Sequence, residues 1–132
     1  MKTLLDSIKE HEGFSGKPYK DSKGIPTIGY GTKLPLSKKE GEDILKSRLN
    51  GYQSKLLELR PFVANLPEAI QSVLFEMSYQ MGVGGLLKFH KTWTFIKSGE
   101  FEKASVEMLD SQWARDESPL RALELSEIVR AT

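Results

Sequence analysis

The chain has 132 residues, no cysteine and a formal net charge of +1. A chain of this length can form one ordinary domain with its own hydrophobic core. The lack of cysteine excludes disulfides, thiol nucleophiles and cysteine-ligated zinc, and the near-neutral charge argues against a nucleic-acid partner. No apolar run approaches ~20 residues and the charged N-terminus lacks the pattern of a secretory signal, so we expect neither membrane insertion nor a signal peptide.

Apolar residues at spacings of three and four predict a short helix over residues 3–12. Leu4, Leu5 and Ile8 share one face of this helix with Glu12. Gly13 is a natural stop at its C-terminal end. We therefore expect the Glu12 carboxylate in the last helical turn, against apolar neighbours.

The next segment, residues 17–34, changes from helical to β-type patterning. The sequence from Asp21 to Gly24 is typical of a turn, and the glycine-containing run from Pro26 to Gly31 favours a strand. These features predict one β-hairpin, in which the backbone approaches another group closely at Gly29 and Gly31.

Helical patterning returns after the hairpin and continues to the end of the chain. A capping box of Ser37 and Glu40 predicts a helix that ends near Glu58. Pro67 suits the first turn of the following helix. The apolar stripe of that helix is predicted to lie in the core: Ile70, Val73, Leu74, Met77 and Met81.

Glycines at positions 82, 84 and 85 are expected to break this helix. Two further amphipathic helices are predicted at roughly 86–97 and 100–112. Ser118 and Pro119 then suit the N-cap and the first position of a last helix. Arg121 would lie in the first turn of that helix.

Together these elements predict an α+β, predominantly helical fold in a single domain over residues 1–132. A small β-hairpin lobe would cover about 13–36, and a linking helix about 38–58. A larger helical lobe would comprise about 60–132 together with the N-terminal helix. A ligand is expected in a cleft between the lobes, where residues 12–34 would face the later helices.

The chain carries no HExxH metal motif, phosphate loop, dinucleotide fingerprint or serine-hydrolase elbow. Neither His11 nor His90 has supporting metal ligands, so no metal and no cofactor are expected. What remains is a pair of carboxylates in unlike settings, Glu12 at a helix end and Asp21 at a polar turn. Glycoside hydrolysis requires one carboxyl group kept protonated and another kept ionised. Spacing alone does not single out this pair among the carboxylates of the chain.

A longer pattern does single out the pair of Glu12 and Asp21. Glu12 is followed by Asp21 and by Thr27, which begins the TxGxG run that ends at Gly31. In residue type and spacing this segment resembles the motif of phage-type lysozymes, glycoside hydrolase family 24. Later segments resemble the same family over nearly the whole chain: Tyr79-Gln80-Met81-Gly82, Phe89, Gln112-Trp113 and Ser118-Pro119-Leu120-Arg121.

The resemblance implies a lysozyme-like fold and the hydrolysis of peptidoglycan between N-acetylmuramic acid and N-acetylglucosamine, with inversion at the anomeric carbon. It implies that Glu12 is the general acid, that Asp21 supports the oxocarbenium-like transition state and positions the attacking water, and that Thr27 helps to hold this water. Arg121 resembles the arginine that supports the catalytic acid. Five residues resemble sugar-contacting positions: Lys33, Tyr79, Gln80, Thr92 and Glu107.

The chain departs from this family pattern at several places, among them the lack of a second arginine after Arg121. Thr32 stands where many relatives have histidine directly after the TxGxG run. Few residues separate Thr32 from the helix start at Ser37, which predicts a small lobe reduced to little more than one hairpin. The chain also ends at Thr132, soon after the Arg121 helix, so a C-terminal closing segment is expected to be missing.

Two other functions stay open. A lytic transglycosylase would need only the acid and would release an anhydro sugar without adding water, which leaves Asp21 and Thr27 without a clear role. The other alternative is a non-catalytic glycan-binding or structural module on a trimmed lysozyme scaffold, because a fold does not guarantee a function.

The resemblance implies the glycan strands of peptidoglycan as the binding partner, and we expect a monomer. An enzyme made in the host cytoplasm without a signal peptide would act on the cell wall, in the periplasm or outside the cell. It would then depend on a membrane pore, a holin, for export. The sequence leaves open whether such an enzyme lyses the host as an endolysin or travels in the virion and opens the wall locally.

Overall fold

The structure, a computed structural model, describes residues 1–132. It divides into two units, which we call the first unit, Met1–Ile44, and the second unit, Leu45–Thr132. Helices account for most of the chain, and a small antiparallel sheet lies near its N-terminus. The predicted class, α+β with a predominance of helix, is therefore confirmed. The proposed bounds of the lobes, and the place of the N-terminal helix in the larger one, stay predictions.

The first unit contains a short helix followed by a three-stranded sheet. Helix α1 spans Leu4–Glu12, and strands β1, β2 and β3 span Ser15–Lys20, Pro26–Gly29 and Thr32–Lys33. The strands are antiparallel in the order β1-β2-β3. The predicted hairpin corresponds to β1 and β2, and the short β3 extends it. The additional strand forms because the chain turns sharply after β2 and Leu34 N–H then donates to Pro26 O at 2.8 Å.

Few side chains of the first unit are buried. Thr27, in the central strand, is fully buried, but α1 buries none of its residues. Leu4 and Leu5 are 77% and 61% exposed. The helix is instead defined locally, because Thr3 Oγ1 accepts a hydrogen bond from Asp6 N at 3.0 Å and Gly13, with a φ of 69°, ends it.

Helix α2, Lys38–Leu59, begins at the predicted capping box. Glu40 N–H donates to Ser37 Oγ at 3.1 Å, and Ser37 N–H donates to the Glu40 carboxylate at 2.9 Å. The remaining helices are α3, Glu68–Leu87, α4, His90–Lys97, α5, Phe101–Leu109, and α6, Pro119–Ala131. A 3-10 turn, Pro61–Asn65, precedes α3, and a π-type turn, Trp113–Glu117, precedes α6.

The hydrophobic core lies in the second unit. It includes the predicted α3 stripe, except that Met81 is only half-buried. Its buried apolar residues come from every helix from α2 onwards: Leu56, Val63, Ile70, Val73, Leu74, Met77, Val83, Leu86, Trp93, Ile96, Ala104, Met108, Trp113, Ala122, Leu125 and Val129. None of the helices combines the length and the apolar composition that crossing a membrane requires.

Three predicted helix boundaries differ from the structure. The predicted break occurs at Gly82, whose φ is 78°, but α3 resumes after this kink and runs to Leu87. For that reason α4 begins at His90, after the predicted start at 86. Helix α5 ends at Leu109, earlier than expected, because the following residues form the π-type turn. Ser118 precedes α6 as predicted, but its side chain does not cap the helix.

Candidate active site

The turn between β1 and β2 fixes the Asp21 carboxylate. Asp21 Oδ1 accepts hydrogen bonds from Lys23 N–H at 2.9 Å and from Ile25 N–H at 2.8 Å. Asp21 Oδ2 accepts a hydrogen bond from Lys33 Nζ at 2.5 Å. The turn itself is closed by Asp21 N–H donating to Ile25 O at 3.0 Å. The side chain is only 16% exposed, so these donors determine its orientation.

These contacts favour the ionised form of Asp21. The hydrogen bond from Lys33 contributes most to holding the pKa of the Asp21 carboxyl below its ordinary value, and the backbone N–H of Ile25 acts in the same direction. Burial opposes this effect and the N–H of Lys23 adds to it. Asp21 is therefore a carboxylate kept negative by Lys33 and by backbone N–H groups of its turn, which is the state that the carboxylate partner in glycoside hydrolysis requires.

Thr27 lies in the middle of the sheet and next to this carboxylate turn. It is paired with Tyr19 on β1 and with Lys33 on β3, so the three residues form one row across the sheet. Its hydroxyl donates to Ile25 O at 2.8 Å. The oxygen of that hydroxyl retains its capacity to accept a hydrogen bond.

Glu12 is the last residue of α1, and its carboxylate lies against Gly31. A Cβ atom at Gly31 would stand 2.8 Å from the Glu12 Cδ atom, closer than such atoms approach. Gly31 also has a φ of 77°, which favours glycine. The predicted close approach is thus confirmed at Gly31. No atom lies within 4 Å of a Cβ built at Gly29, where a φ of 71° accounts for the glycine.

The surroundings of Glu12 differ from the prediction. Its side chain is exposed, with no enclosure by apolar neighbours, because α1 buries none of its residues. Within the first unit its carboxylate takes part in no hydrogen bond or ion pair, whereas Asp21 accepts three. The two carboxylates therefore stand in unlike settings, although for a different reason than the helix pattern suggested.

In the second unit, the Gln80 side chain connects three elements. Trp113 Nε1 donates to Gln80 Oε1 at 3.0 Å, and Gln80 Nε2 donates to Ser118 Oγ at 2.5 Å. The Ser118 hydroxyl, which does not cap α6, accepts this hydrogen bond instead. Both polar ends of the Gln80 amide are thus engaged inside the protein, so its predicted contact with a sugar stays a prediction.

Arg121 and Tyr79 line one groove of the second unit, with a volume of about 430 Å³. Arg121 Nε donates to the Glu76 carboxylate at 2.7 Å, and the two side chains are 40% and 45% exposed. Tyr79 packs edge-to-face on Tyr52, with ring centroids 5.9 Å apart. The structure assigns Arg121 a carboxylate partner on α3, and its support of a catalytic acid stays a prediction.

Thr92 and Glu107 line a second and larger cavity of the same unit, of about 810 Å³. Thr92 is buried in the first turn of α4, while Glu107 is half-buried on α5. Phe89 and Trp113 form part of the apolar wall, with ring centroids 6.0 Å apart. The cavity has the mixture of aromatic and polar groups that small-molecule sites use, and sugar contacts at Thr92 and Glu107 stay predictions.

The structure shows no group of three or more histidine, cysteine, aspartate or glutamate side chains placed to hold a metal ion.

Sequence analysis missed two partners in these sites. It did not pair Lys33 with Asp21, although recognition of β3 would have placed Lys33 opposite Thr27 and close to the turn. It also passed over Glu76, the partner of Arg121. Glu76 lies four residues before Gln80 and hence on the same face of α3, which is the signal that could have drawn attention to it.

Comparisons with known proteins give a family match and a similar phage protein. A model of the family described as Phage lysozyme matches residues 9–125, a range that includes Glu12, Asp21, Thr27 and Arg121. The chain is also similar to the pre-baseplate central spike protein Gp5 of Enterobacteria phage T4, with 28% identity over 142 aligned residues. That alignment covers 84% of this chain and 25% of Gp5, so the chain spans about a quarter of the length of this relative. Because the family match extends over most of its length, the chain belongs to the phage lysozyme family.

Proposed function

We propose that the chain is a lysozyme that hydrolyses the β-1,4 bond between N-acetylmuramic acid and N-acetylglucosamine in peptidoglycan. Membership of the phage lysozyme family supports a glycoside hydrolase of this kind. The observation that carries the proposal is the contrast between the two carboxylates of the first unit. Asp21 accepts hydrogen bonds from three donors that favour its ionised form, whereas the Glu12 carboxylate accepts none within that unit.

The proposed reaction assigns one step to each of these residues. Glu12 donates its proton to the glycosidic oxygen as the bond to the anomeric carbon breaks. The Asp21 carboxylate stabilises the positive charge that develops on the sugar ring and accepts a proton from the attacking water, whose oxygen joins the anomeric carbon. Thr27 offers its hydroxyl oxygen to the same water. Inversion follows if water enters opposite the leaving group, which requires the two carboxyl groups to stand roughly 6.5–9.5 Å apart.

The enzyme would act on the cell wall, with the glycan strands of peptidoglycan as its partner and no cofactor. Of the two biological settings that the sequence leaves open, the name of the T4 relative, a central spike protein, favours the one in the virion. A chain that acted from the host cytoplasm as an endolysin would instead require a holin for export.

The first test is the clearing of a peptidoglycan suspension by the parent chain and by Glu12→Gln. Glutamine preserves the shape of the side chain but cannot donate the proton, so we expect clearing to fall by at least ~10²-fold, the low end of what a general acid contributes. Glu10→Gln, the same change on an exposed residue of α1, is the matched control and should clear like the parent. A folded Glu12→Gln chain that clears at the parental rate would refute the assignment of the acid.

The released fragments distinguish the alternatives. Hydrolysis adds one water to each fragment, whereas a lytic transglycosylase leaves an anhydro sugar, and mass spectrometry separates the two products. NMR of the fresh reducing ends reports whether configuration is inverted. A folded parent that binds peptidoglycan in a pelleting assay but releases no fragments would identify a non-catalytic module instead.

A further inference from the structure

Lys33 is held beside Asp21 by strand pairing. Strand β3 pairs with β2 so that Lys33 stands directly across from Thr27, and Leu34 N–H donates to Pro26 O at 2.8 Å just beyond this pair. Side chains that stand opposite each other in an antiparallel pair point to the same face of the sheet. From this position the Lys33 ammonium reaches the Asp21 carboxylate at 2.5 Å.

The two oxygens of the Asp21 carboxylate are fixed by different parts of the chain. Oδ1 accepts both backbone N–H donors of the turn, whereas the Oδ2 bond comes from Lys33. The Lys33 ammonium is therefore the donor that fixes the second oxygen of this carboxylate. Without it, Oδ2 would lose its partner and its neighbouring positive charge.

Within the first unit, three titratable groups act on Lys33: Asp21, Glu12 and Tyr19. Asp21 is in direct contact, and the charges of Glu12 and Tyr19 also raise the pKa of the Lys33 ammonium, after the larger effect of the Asp21 hydrogen bond. Lys33 is 54% exposed, and exposed ion pairs contribute little to the free energy of unfolding. A contribution to stability therefore does not explain the arrangement well.

We propose that Lys33 is a positioning residue that keeps the Asp21 carboxylate oriented and negatively charged for the reaction, a role that rests on the lysozyme function proposed above. Lys33 donates its hydrogen bond to Asp21 and not to Glu12, so its main effect falls on the Asp21 carboxylate. It thereby keeps Asp21 negatively charged during the reaction. This role differs from the sugar contact that the sequence suggests for Lys33.

The test is the pH dependence of kcat and KM for Lys33→Met on soluble peptidoglycan fragments, together with an NMR titration of the Asp21 carboxyl carbon. Removal of the ammonium raises the pKa of Asp21, because its largest stabilising contact is lost. A chain with protonated Asp21 is inactive in this scheme, so the acid limb of the pH profile of kcat should move to higher pH. Below that limb, kcat should fall on the order of tenfold per pH unit, while KM changes little.

Two further variants make the result specific. Lys33→Arg retains the positive charge and should return the acid limb most of the way to its parental position. Lys39→Met removes another exposed lysine–aspartate pair of the first unit, Lys39 with Asp43 at 2.6 Å, and should leave both the limb and the Asp21 titration unchanged.

Three outcomes would overturn the proposal, and they differ from one another. An acid limb that stays in place while kcat falls at every pH would mean that Lys33 serves only the local structure. A rise in KM with an unmoved limb would mean that it contacts the sugar. If the parent chain releases no fragments at all, the proposed function fails and the reaction role of Lys33 fails with it; in the first two outcomes the parent is active and only the role of Lys33 fails.

Discussion

At the scale of single residues, the absence of a side chain at Gly31 decides where the Glu12 carboxylate can lie. A Cβ atom there would collide with that carboxylate, and the positive φ would in addition strain any L-residue. The sequence has glycines at both 29 and 31, but their structural roles differ. Gly29 serves the backbone alone, whereas Gly31 also makes room for Glu12.

We therefore expect Gly31→Ala to reduce clearing activity far more than Gly29→Ala. Both substitutions should lower the free energy of unfolding by about 1–2 kcal/mol, because both residues have positive φ. Only Gly31→Ala displaces the carboxylate, and a displacement of about 1 Å at a reacting group can cost on the order of 10²-fold in rate. Thermal unfolding and clearing rates measured on both variants check this. Equal activity losses would show that the contact with Glu12 is irrelevant to the reaction.

At the scale of elements, one amide joins α3 to the π-type turn and to the start of α6. Gln80 accepts a hydrogen bond from the Trp113 indole and donates to the Ser118 hydroxyl. Trp113 is 3% exposed, so its indole N–H cannot donate to water if this acceptor is removed. The Ser118 hydroxyl takes part in this connection and not in the predicted cap of α6.

A double-mutant cycle between Gln80 and Trp113 measures this connection. Gln80→Ala should lower the free energy of unfolding by about 1–3 kcal/mol, because it leaves a buried donor unsatisfied. In a Trp113→Phe background the donor is already absent, so the same change should cost less. Urea unfolding of the four chains gives the coupling free energy. Additive effects of the two substitutions would contradict the proposed link.

At the scale of the whole molecule, buried apolar side chains are distributed very unevenly along the chain. All of them lie at or beyond Leu56, in the second unit, while Thr27 is the buried residue of the first unit. Hydrophobic burial is the main stabilising contribution to a fold. Glu12 and Asp21 therefore belong to the unit with the smaller stabilisation of its own.

Native-state hydrogen exchange should reveal this difference. We expect amides of α3 and α6 to exchange through global unfolding, and amides of β1, β2 and β3 through openings that require less free energy. Exchange rates measured at several low concentrations of denaturant distinguish the two classes. If the strand amides exchange with the same free energy as those of α3, both units unfold together and this expectation is wrong.

Much of the fold could be predicted from local patterns. The helix over residues 3–12 is confirmed as Leu4–Glu12, and the capping box at Ser37 and Glu40 has both of its predicted hydrogen bonds. Helix boundaries near the π-type turn, and the third strand, were missed. Both features arise because a segment adapts to its neighbours, as when Leu34 bonds to Pro26, and not from the preferences of its own residues.

For the candidate site, too, some features could be predicted from local sequence patterns and others could not. The sequence by itself determined the family, and it predicted Glu12, Asp21 and Thr27 as site residues, because their types and spacings form a motif along one short segment. Only the tertiary structure decided the partners of the charged and polar groups. The pairs that it brings together are far apart in the chain: Lys33 with Asp21 at 12 residues, Gln80 with Ser118 at 38 and Arg121 with Glu76 at 45. A hydrogen bond depends on the positions of both atoms in space, which a pattern of a few neighbouring residues does not contain.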